Sequence, residues 1–124
     1  MSEIPNTKKT LVLGATTNPG RYAYLAAQLL MENGKDVVLV GIKKGEVNGV
    51  PIQRDFPTEP MDTITLYVGP RHQKEYYDLI LENHPRRVIF NPGTENPELI
   101  ELLQKNGIET EVACTLVLLR TGQY

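Results

Sequence analysis

Short apolar runs alternate along this chain with longer stretches in which apolar residues recur at helical spacing. Short runs of Val, Ile and Leu with few polar interruptions are typical of strands buried on both faces of a parallel sheet. We therefore predict five strands: residues 10–13, 36–42, 63–68, 87–90 and 108–112. Between them we predict helices over residues 21–33, from Pro70 to before Pro85, and from a cap at Thr94 or Asn96 to Asn106.

Three segments do not follow either pattern clearly. Residues 43–60 contain prolines 51, 57 and 60, and we interpret them as an irregular connection with a short extended piece at residues 50–53. Residues 114–119 are predicted to form a final short helical or extended segment. Residues 1–9 are mostly polar and are expected to be a loose tail.

Strands that alternate with helices pair in parallel through right-handed crossovers. The pattern therefore predicts a three-layer, doubly wound α/β fold of the Rossmann type. Its five-stranded parallel sheet is expected in the order 3-2-1-4-5, within a single domain spanning residues 1–124. Ligands of such sheets bind outside the carboxyl ends of the strands where the winding reverses, which this order places between the first and fourth strands.

Composition narrows the class of partner. The net charge of -2 argues against nucleic acid, which normally binds a basic face. No apolar run approaches the roughly 20 residues that a membrane-spanning helix needs, so no membrane partner is expected. Cys114 is the single cysteine, which excludes an internal disulfide and fits a reducing, cytoplasmic setting. Its apolar neighbours favour a packing role over a reactive thiol.

The turn after the first strand has the features of an anion-binding site. An apolar run ends at Gly14, passes through small and polar residues, and enters the first predicted helix. Unpaired backbone N–H groups and the positive end of the helix dipole meet at such a turn. Gly14 allows close approach of a ligand to the backbone, and Arg21 offers a guanidinium that forks onto a phosphate. An ordinary strand–helix loop with a helix cap has a similar pattern and is the alternative.

The end of the second strand indicates which nucleotide is favoured. The turn at residues 14–20 lacks the second glycine of the G-x-G-x-x-G motif, and Lys43 and Lys44 stand where NAD-binding sequences usually have an acidic residue. A lysine there suits a ribose that carries a phosphate, as in coenzyme A (CoA) or NADP. The alternative is that the two lysines are a solvated charged pair.

Three segments resemble the small CoA-binding-domain proteins. They are Gly-Ala-Thr-Thr-Asn-Pro-Gly-Arg-Tyr at residues 14–22, Phe-Asn-Pro-Gly-Thr-Glu-Asn at 90–96, and the cysteine-bearing Glu-Val-Ala-Cys-Thr-Leu at 111–116. The resemblance extends over residues 10–119 and implies a fold similar to the N-terminal domain of the succinyl-CoA synthetase α subunit. The chain departs from the family pattern at Gly41-Ile42, where the family usually has Asn-Pro, and at Asn91-Pro92, where a glutamine is more common.

The resemblance implies CoA or an acyl-CoA as the ligand, with NADP as the alternative. The predicted ligand-binding residues are Gly14, Ala15, Thr16, Thr17, Asn18, Pro19, Arg21, Tyr22, Gly41, Ile42, Lys43, Val68, Gly69, Asn91, Pro92 and Gly93. No Ser-His-Asp set, base with an orienting partner, or metal-ligand spacing is evident, and His72 is interpreted as more often solvated than as a ligand contact. We therefore expect a stand-alone module that binds a small-molecule nucleotide without catalytic machinery. A minimal NADP-dependent oxidoreductase and a scaffold with a vestigial crevice are the alternatives, and a protein partner or homodimer is left open.

Overall fold

The computed structural model describes residues 8–124, so the predicted loose tail lies almost entirely outside the described residues. The strands are β1 (Thr10–Leu13), β2 (Val37–Val40), β3 (Glu46–Val47), β4 (Val50–Gln53), β5 (Thr63–Leu66), β6 (Arg87–Phe90) and β7 (Glu109–Val112). The helices are α1 (Tyr22–Glu32), α2 (Pro70–Gln73), α3 (Tyr77–Asn83), α4 (Pro97–Lys105) and α5 (Thr115–Arg120), and a 3-10 turn (Lys74–Tyr76) joins α2 to α3.

The strands form one sheet in the order β3-β4-β2-β1-β5-β6-β7. All neighbouring pairs from β4 to β7 are parallel, and β3 pairs antiparallel with β4 across a tight hairpin. The central strand β1 lies between β2 and β5, with Thr10 beside Val37 on one side and Thr63 on the other. The α/β class with a mostly parallel sheet is therefore confirmed.

The predicted strand number and order were wrong. The segment Val50–Gln53, expected as a short extended piece within an irregular connection, is a strand that pairs with β2. Because β4 occupies the place beside β2, the predicted third strand lies instead on the far side of β1. The winding consequently reverses between β1 and β5, and not between the first and fourth predicted strands. Pro51 and the exposed Gln53 made β4 hard to recognise as a strand, since Ile52 is its only buried residue.

Two apolar cores lie on opposite faces of the sheet. On β1, Leu11 and Leu13 face a core built with α3 and α4, whereas Val12 faces a core built with α1 and α5. Ile80, Leu99 and Leu103 are representative of the first core, while Ala23, Ala27 and Leu30 represent the second. Alternation along a strand that is apolar on both faces explains the uninterrupted apolar runs of the sequence.

Local signals account for several helix boundaries. The Asn96 side chain caps α4 by accepting a hydrogen bond from the Leu99 N–H at 3.3 Å, and Pro97 occupies the first turn. The helix predicted from Pro70 is divided into α2, the 3-10 turn and α3, and it ends before Pro85 as expected. Within the part of the chain that the structure describes, no helix is long and apolar enough to cross a membrane.

Tyr124 closes the edge of the sheet formed by the amino ends of the strands. Its ring lies 4.6 Å from the guanidinium carbon of Arg87, whose side chain is only 6% exposed, and its hydroxyl is hydrogen-bonded to Thr10. Arg87 also pairs with Glu111 at 3.3 Å. The tyrosine ring therefore covers a buried cation.

We expect Tyr124→Ala to lower the free energy of unfolding by about 2 kcal/mol or more, because it removes a desolvated cation–π contact and uncovers Arg87. Tyr124→Phe keeps the ring and loses only the hydrogen bond to Thr10, so its expected cost is about 1 kcal/mol. Urea unfolding followed by circular dichroism measures both changes. Equal losses for the two variants would contradict the role assigned to the ring.

Candidate functional site

A cavity of about 760 Å³ opens at the carboxyl edge of the sheet, between the loops that follow β1, β2, β5 and β6. Its size falls in the range of about 300–1,000 Å³ that is usual for small-molecule sites. It also lies where the winding reverses between β1 and β5, the usual ligand position in open α/β sheets.

Most of the residues predicted from sequence line this cavity. They are Gly14, Ala15, Thr16, Thr17, Asn18, Arg21, Tyr22, Gly41, Ile42, Lys43, Val68, Gly69, Pro92 and Gly93. Pro19 is exposed and Asn91 is buried, and neither lines the cavity. That the lining residues bind a ligand remains a prediction.

Asn91 uses its side chain inside the protein. Its amide nitrogen donates to Thr65 Oγ1 at 2.6 Å and to the Leu66 carbonyl at 2.8 Å, and its Oδ1 accepts from the Thr115 N–H at 2.8 Å. These bonds join the end of β6 to β5 and to the start of α5. Asn91 therefore fixes the base of the β6–α4 loop.

Six further residues line the cavity that the sequence prediction did not include: Ala23, Tyr67, His72, Glu75, Tyr76 and Thr94. Tyr67 is the first residue after β5, but the predicted strand continued to residue 68, so Tyr67 was not among the residues at its end. Glu75 and Tyr76 belong to the 3-10 turn between α2 and α3, and both line the cavity. A continuous helix from Pro70, as predicted, gave no reason to select them.

The turn after β1 requires glycine at its first position. Gly14 has a φ of 103°, and a Cβ built there would lie 2.9 Å from both the carbonyl carbon and the oxygen of Tyr67. The N–H groups of Gly14 and Ala15 both donate to the Val40 carbonyl at 2.9 Å. The turn is therefore held between β2 and the end of β5, where a side chain would meet backbone.

The loop after β2 packs directly on this turn. A Cβ on Gly41 would lie 2.3 Å from the Ala15 carbonyl oxygen, and one on Gly45 would lie 2.3 Å from Thr17 Cγ2. These close approaches place the loop of residues 41–45, including the exposed Lys43, beside the turn after β1. A basic side chain and the start of α1 thus share one end of the cavity.

Several described residues of the turn that line the cavity have free backbone donors. Among residues 8–124, the N–H groups of Thr16, Thr17, Tyr22 and Ala23 have no hydrogen-bond partner. Asn18 shapes the turn, because its N–H donates to Thr16 Oγ1 at 3.1 Å and its Oδ1 accepts from the Gly20 N–H at 2.9 Å. Unpaired donors at the start of an 11-residue helix, beside a guanidinium, are chemically suited to a phosphate or pyrophosphate.

Aromatic and apolar groups also line the cavity. Tyr67, Tyr76, Val68 and Pro92 are among them, and His72 and Glu75 add polar groups. Burial raises the pKa of Tyr67 to about 12, and burial followed by the nearby Glu75 charge raises the pKa of Tyr76. Both phenols are therefore protonated at neutral pH.

Cys114 is half-buried immediately before α5 and does not line the cavity. The packing role expected from its neighbours stays a prediction. His72 lies on α2 at the cavity wall, and whether it contacts a ligand stays a prediction.

A parallel sheet with a reversed winding, a glycine turn before α1 and unpaired N–H groups at one cavity define a Rossmann-type nucleotide-binding domain. Comparison with protein families identifies the particular class. The chain belongs to the CoA binding domain family, whose model matches residues 8–120.

Solved structures share this fold over nearly the whole chain. A crystal structure of an uncharacterized protein is 53% identical, covers 95% of this chain and 98% of its own, and has a TM-score of 0.92. A Thermus thermophilus protein described as cell-free ID.343 is 25% identical, with coverages of 95% and 91% and a TM-score of 0.84. A hypothetical protein from Pyrococcus horikoshii OT3 is 27% identical, with coverages of 90% and 81% and a TM-score of 0.80. Comparison with curated proteins finds no match.

Proposed function

We propose that this protein is a binding module for CoA or an acyl-CoA that acts without catalytic machinery of its own. The observation that carries the proposal is the set of unpaired N–H groups at the turn after β1, beside Arg21 and close to Lys43. CoA carries a pyrophosphate and a separate ribose 3′-phosphate, so it needs both an anion-binding turn and a second cation. Membership of the CoA binding domain family supports the same ligand.

The proposed orientation follows from the charges and apolar groups along the cavity. The pyrophosphate lies at the start of α1, where the N–H groups and Arg21 neutralise it. The 3′-phosphate faces Lys43. Ile42 and Tyr22 are 73% and 70% exposed beside this end, and they offer apolar surface to the adenine.

The pantetheine arm extends in this orientation along the loops after β5 and β6. Val68, Gly69, Pro92 and Gly93 form the passage proposed for this arm, and none of these residues carries a charge. An uncharged chain with two amides suits such a passage, whose backbone offers carbonyl and N–H groups. The thiol or thioester reaches the region of His72 and Glu75.

NADP is the second candidate, because Lys43 also suits a ribose 2′-phosphate. A reductase acting through Tyr67 is disfavoured, since this hydroxyl is buried and burial raises its pKa to about 12. Thermal unfolding with CoA, acetyl-CoA, NAD and NADP separates the candidates. We expect CoA or acetyl-CoA to stabilise by roughly 2.7 kcal/mol at about 100 times the dissociation constant.

Each outcome of this panel is informative. Stabilisation by NADP above that by CoA favours the oxidoreductase, whereas titration calorimetry that detects no ligand at millimolar concentration rejects nucleotide binding and favours a scaffold. Stabilisation by CoA and acetyl-CoA alike indicates that the acyl group is weakly contacted. A clear preference for acetyl-CoA assigns the acyl group to the wall near Tyr76.

A further inference from the structure

Two cavity-forming loops are joined by one buried side chain that does not itself line the cavity. Gln73, the last residue of α2, is 0% exposed. Its Nε2 donates to the Val68 carbonyl of the β5–α2 loop and to the Thr94 carbonyl of the β6–α4 loop, both at 2.8 Å. Val68 and Thr94 both line the cavity. A single amide group thus connects the two sides of the passage assigned to the pantetheine arm.

The orientation of the Gln73 amide is determined by a chain of hydrogen bonds. Asn96 Oδ1 accepts from the Leu99 N–H at the start of α4, so Asn96 Nδ2 must be directed elsewhere. That nitrogen donates to Gln73 Oε1 at 2.8 Å and to the Tyr77 hydroxyl at 2.9 Å. Because its oxygen is already engaged, Gln73 presents its two N–H groups to the loop carbonyls.

The network is complete at both ends. The Tyr77 hydroxyl donates in turn to Glu98 Oε1 at 2.9 Å, so its donor and acceptor functions are both used. Every donor and acceptor of the Gln73 amide has a partner, as a buried polar group requires. A fully satisfied buried network holds one arrangement of its members and resists the alternatives.

We propose that Gln73 is a positioning residue for the ligand, which sets the separation of the β5–α2 and β6–α4 loops and so the width of the pantetheine passage. This inference rests on the proposed function, because it concerns the same cavity. Gln73 acts through the two loop carbonyls and does not touch the ligand. Its effect is therefore confined to the part of the ligand that lies between the loops.

Gln73→Glu tests this role with almost no change of shape. The introduced carboxylate keeps an acceptor for Asn96 but has no N–H groups for Val68 and Thr94, and its charge repels both carbonyls. We expect the dissociation constant for CoA to rise about tenfold or more, as loss of a buried hydrogen bond implies. Binding of adenosine 3′,5′-bisphosphate, which contains the adenosine end of CoA without the pantetheine arm, should be unchanged.

Gln104→Glu is the matched control, because it makes the same chemical change on an exposed face of α4.

A second, milder variant is Asn96→Asp. It keeps the oxygen that caps α4, but it replaces the N–H donor that faces Gln73 Oε1 with an acceptor oxygen. The Gln73 amide then rotates to donate to the introduced carboxylate and loses its bonds to the loops. Asn96→Asp should reproduce the selective loss of CoA binding, so it replaces Gln73→Glu in the experiment if that variant does not fold.

The ratio of the two affinities is the decisive measurement, obtained by titration calorimetry. If Gln73 contributes only to stability, Gln73→Glu lowers the melting temperature but leaves the ratio of the affinities for CoA and for the bisphosphate unchanged. That result overturns the inference. Equal weakening of both ligands overturns it as well. If the unaltered protein binds neither ligand, the proposed function fails and the inference fails with it. If the unaltered protein binds both ligands but Gln73→Glu leaves the ratio of their affinities unchanged, only the inference fails.

Discussion

Gly14→Ala is expected to abolish measurable CoA binding and to lower the free energy of unfolding by about 2 kcal/mol or more. Two independent causes act at this position. The φ of 103° is unfavourable for any residue with a Cβ, and the added carbon would lie 2.9 Å from the Tyr67 backbone. Relief of this contact must move the turn away from β5, which displaces the N–H groups assigned to the pyrophosphate. The N–H groups then no longer meet the pyrophosphate oxygens at hydrogen-bond distance, and each charge-assisted bond that is lost costs about 1.5–3 kcal/mol of binding free energy.

Gly107→Ala is the matched control outside the cavity. Gly107 has a φ of 75°, a Cβ built there meets nothing within 4 Å, and the residue does not line the cavity. We expect it to lower stability through backbone strain alone and to leave CoA binding unchanged. Circular dichroism and thermal unfolding establish the fold of both variants before calorimetry compares their affinities. Tight CoA binding by a folded Gly14→Ala protein would remove the turn from the proposed site.

The sequence pattern was sufficient for the elements that have strong apolar periodicity. β1 was predicted with its observed bounds, as was β6, because each is a short apolar run that ends abruptly. Asn96 was one of two residues named as a cap, the other being Thr94, and Asn96 is the one that caps α4. These elements depend on local chemistry that a single sequence displays directly.

The β3–β4 hairpin could not be predicted in the same way. β3 has only two residues, and β4 contains Pro51 between Val50 and Ile52. Such short strands bury few side chains, so their identity depends on pairing with β2 and not on their own pattern. The wrong strand order followed from this one omission.

The β3–β4 hairpin also holds part of the candidate site in place. The Gly41 N–H donates to the Gln53 carbonyl at 3.0 Å, and the Ile52 N–H donates to the Gly45 carbonyl at 2.8 Å. β4 therefore holds both ends of the loop that carries Lys43. The sequence selected the lysine by its position after a strand, but the reason for its placement beside the turn is tertiary.

The part of the site formed by the loops after β5 and β6 was harder to predict from sequence for a similar reason. Gln73 stands in a polar stretch and has no local signal of burial, yet it is fully buried because two carbonyls and an asparagine amide surround its side chain. Asn91 shows the converse. It lies in the loop that resembles the family motif, but its hydrogen bonds are all internal to the protein.

Lys43→Ala is expected to weaken the binding of CoA by about tenfold or more and to leave the binding of dephospho-CoA nearly unchanged. The two ligands differ only in the 3′-phosphate that Lys43 is proposed to meet. A charge-assisted hydrogen bond contributes about 1.5–3 kcal/mol, and screening of this exposed lysine favours the lower end of that range. Calorimetry at several salt concentrations should show the preference for CoA decreasing as the salt is raised.

Two further variants separate a specific contact from a general loss of positive charge. Lys44→Ala removes the same charge from the adjacent residue, which is exposed and does not line the cavity, so it should have a much smaller effect on either ligand. Arg21→Ala should weaken CoA and dephospho-CoA alike, because the pyrophosphate assigned to it is present in both. Equal binding of CoA and dephospho-CoA by the unaltered protein contradicts the Lys43 assignment, even if the pyrophosphate turn is correct. A selective loss in Lys43→Ala, with none in Lys44→Ala, places the 3′-phosphate at the end of β2.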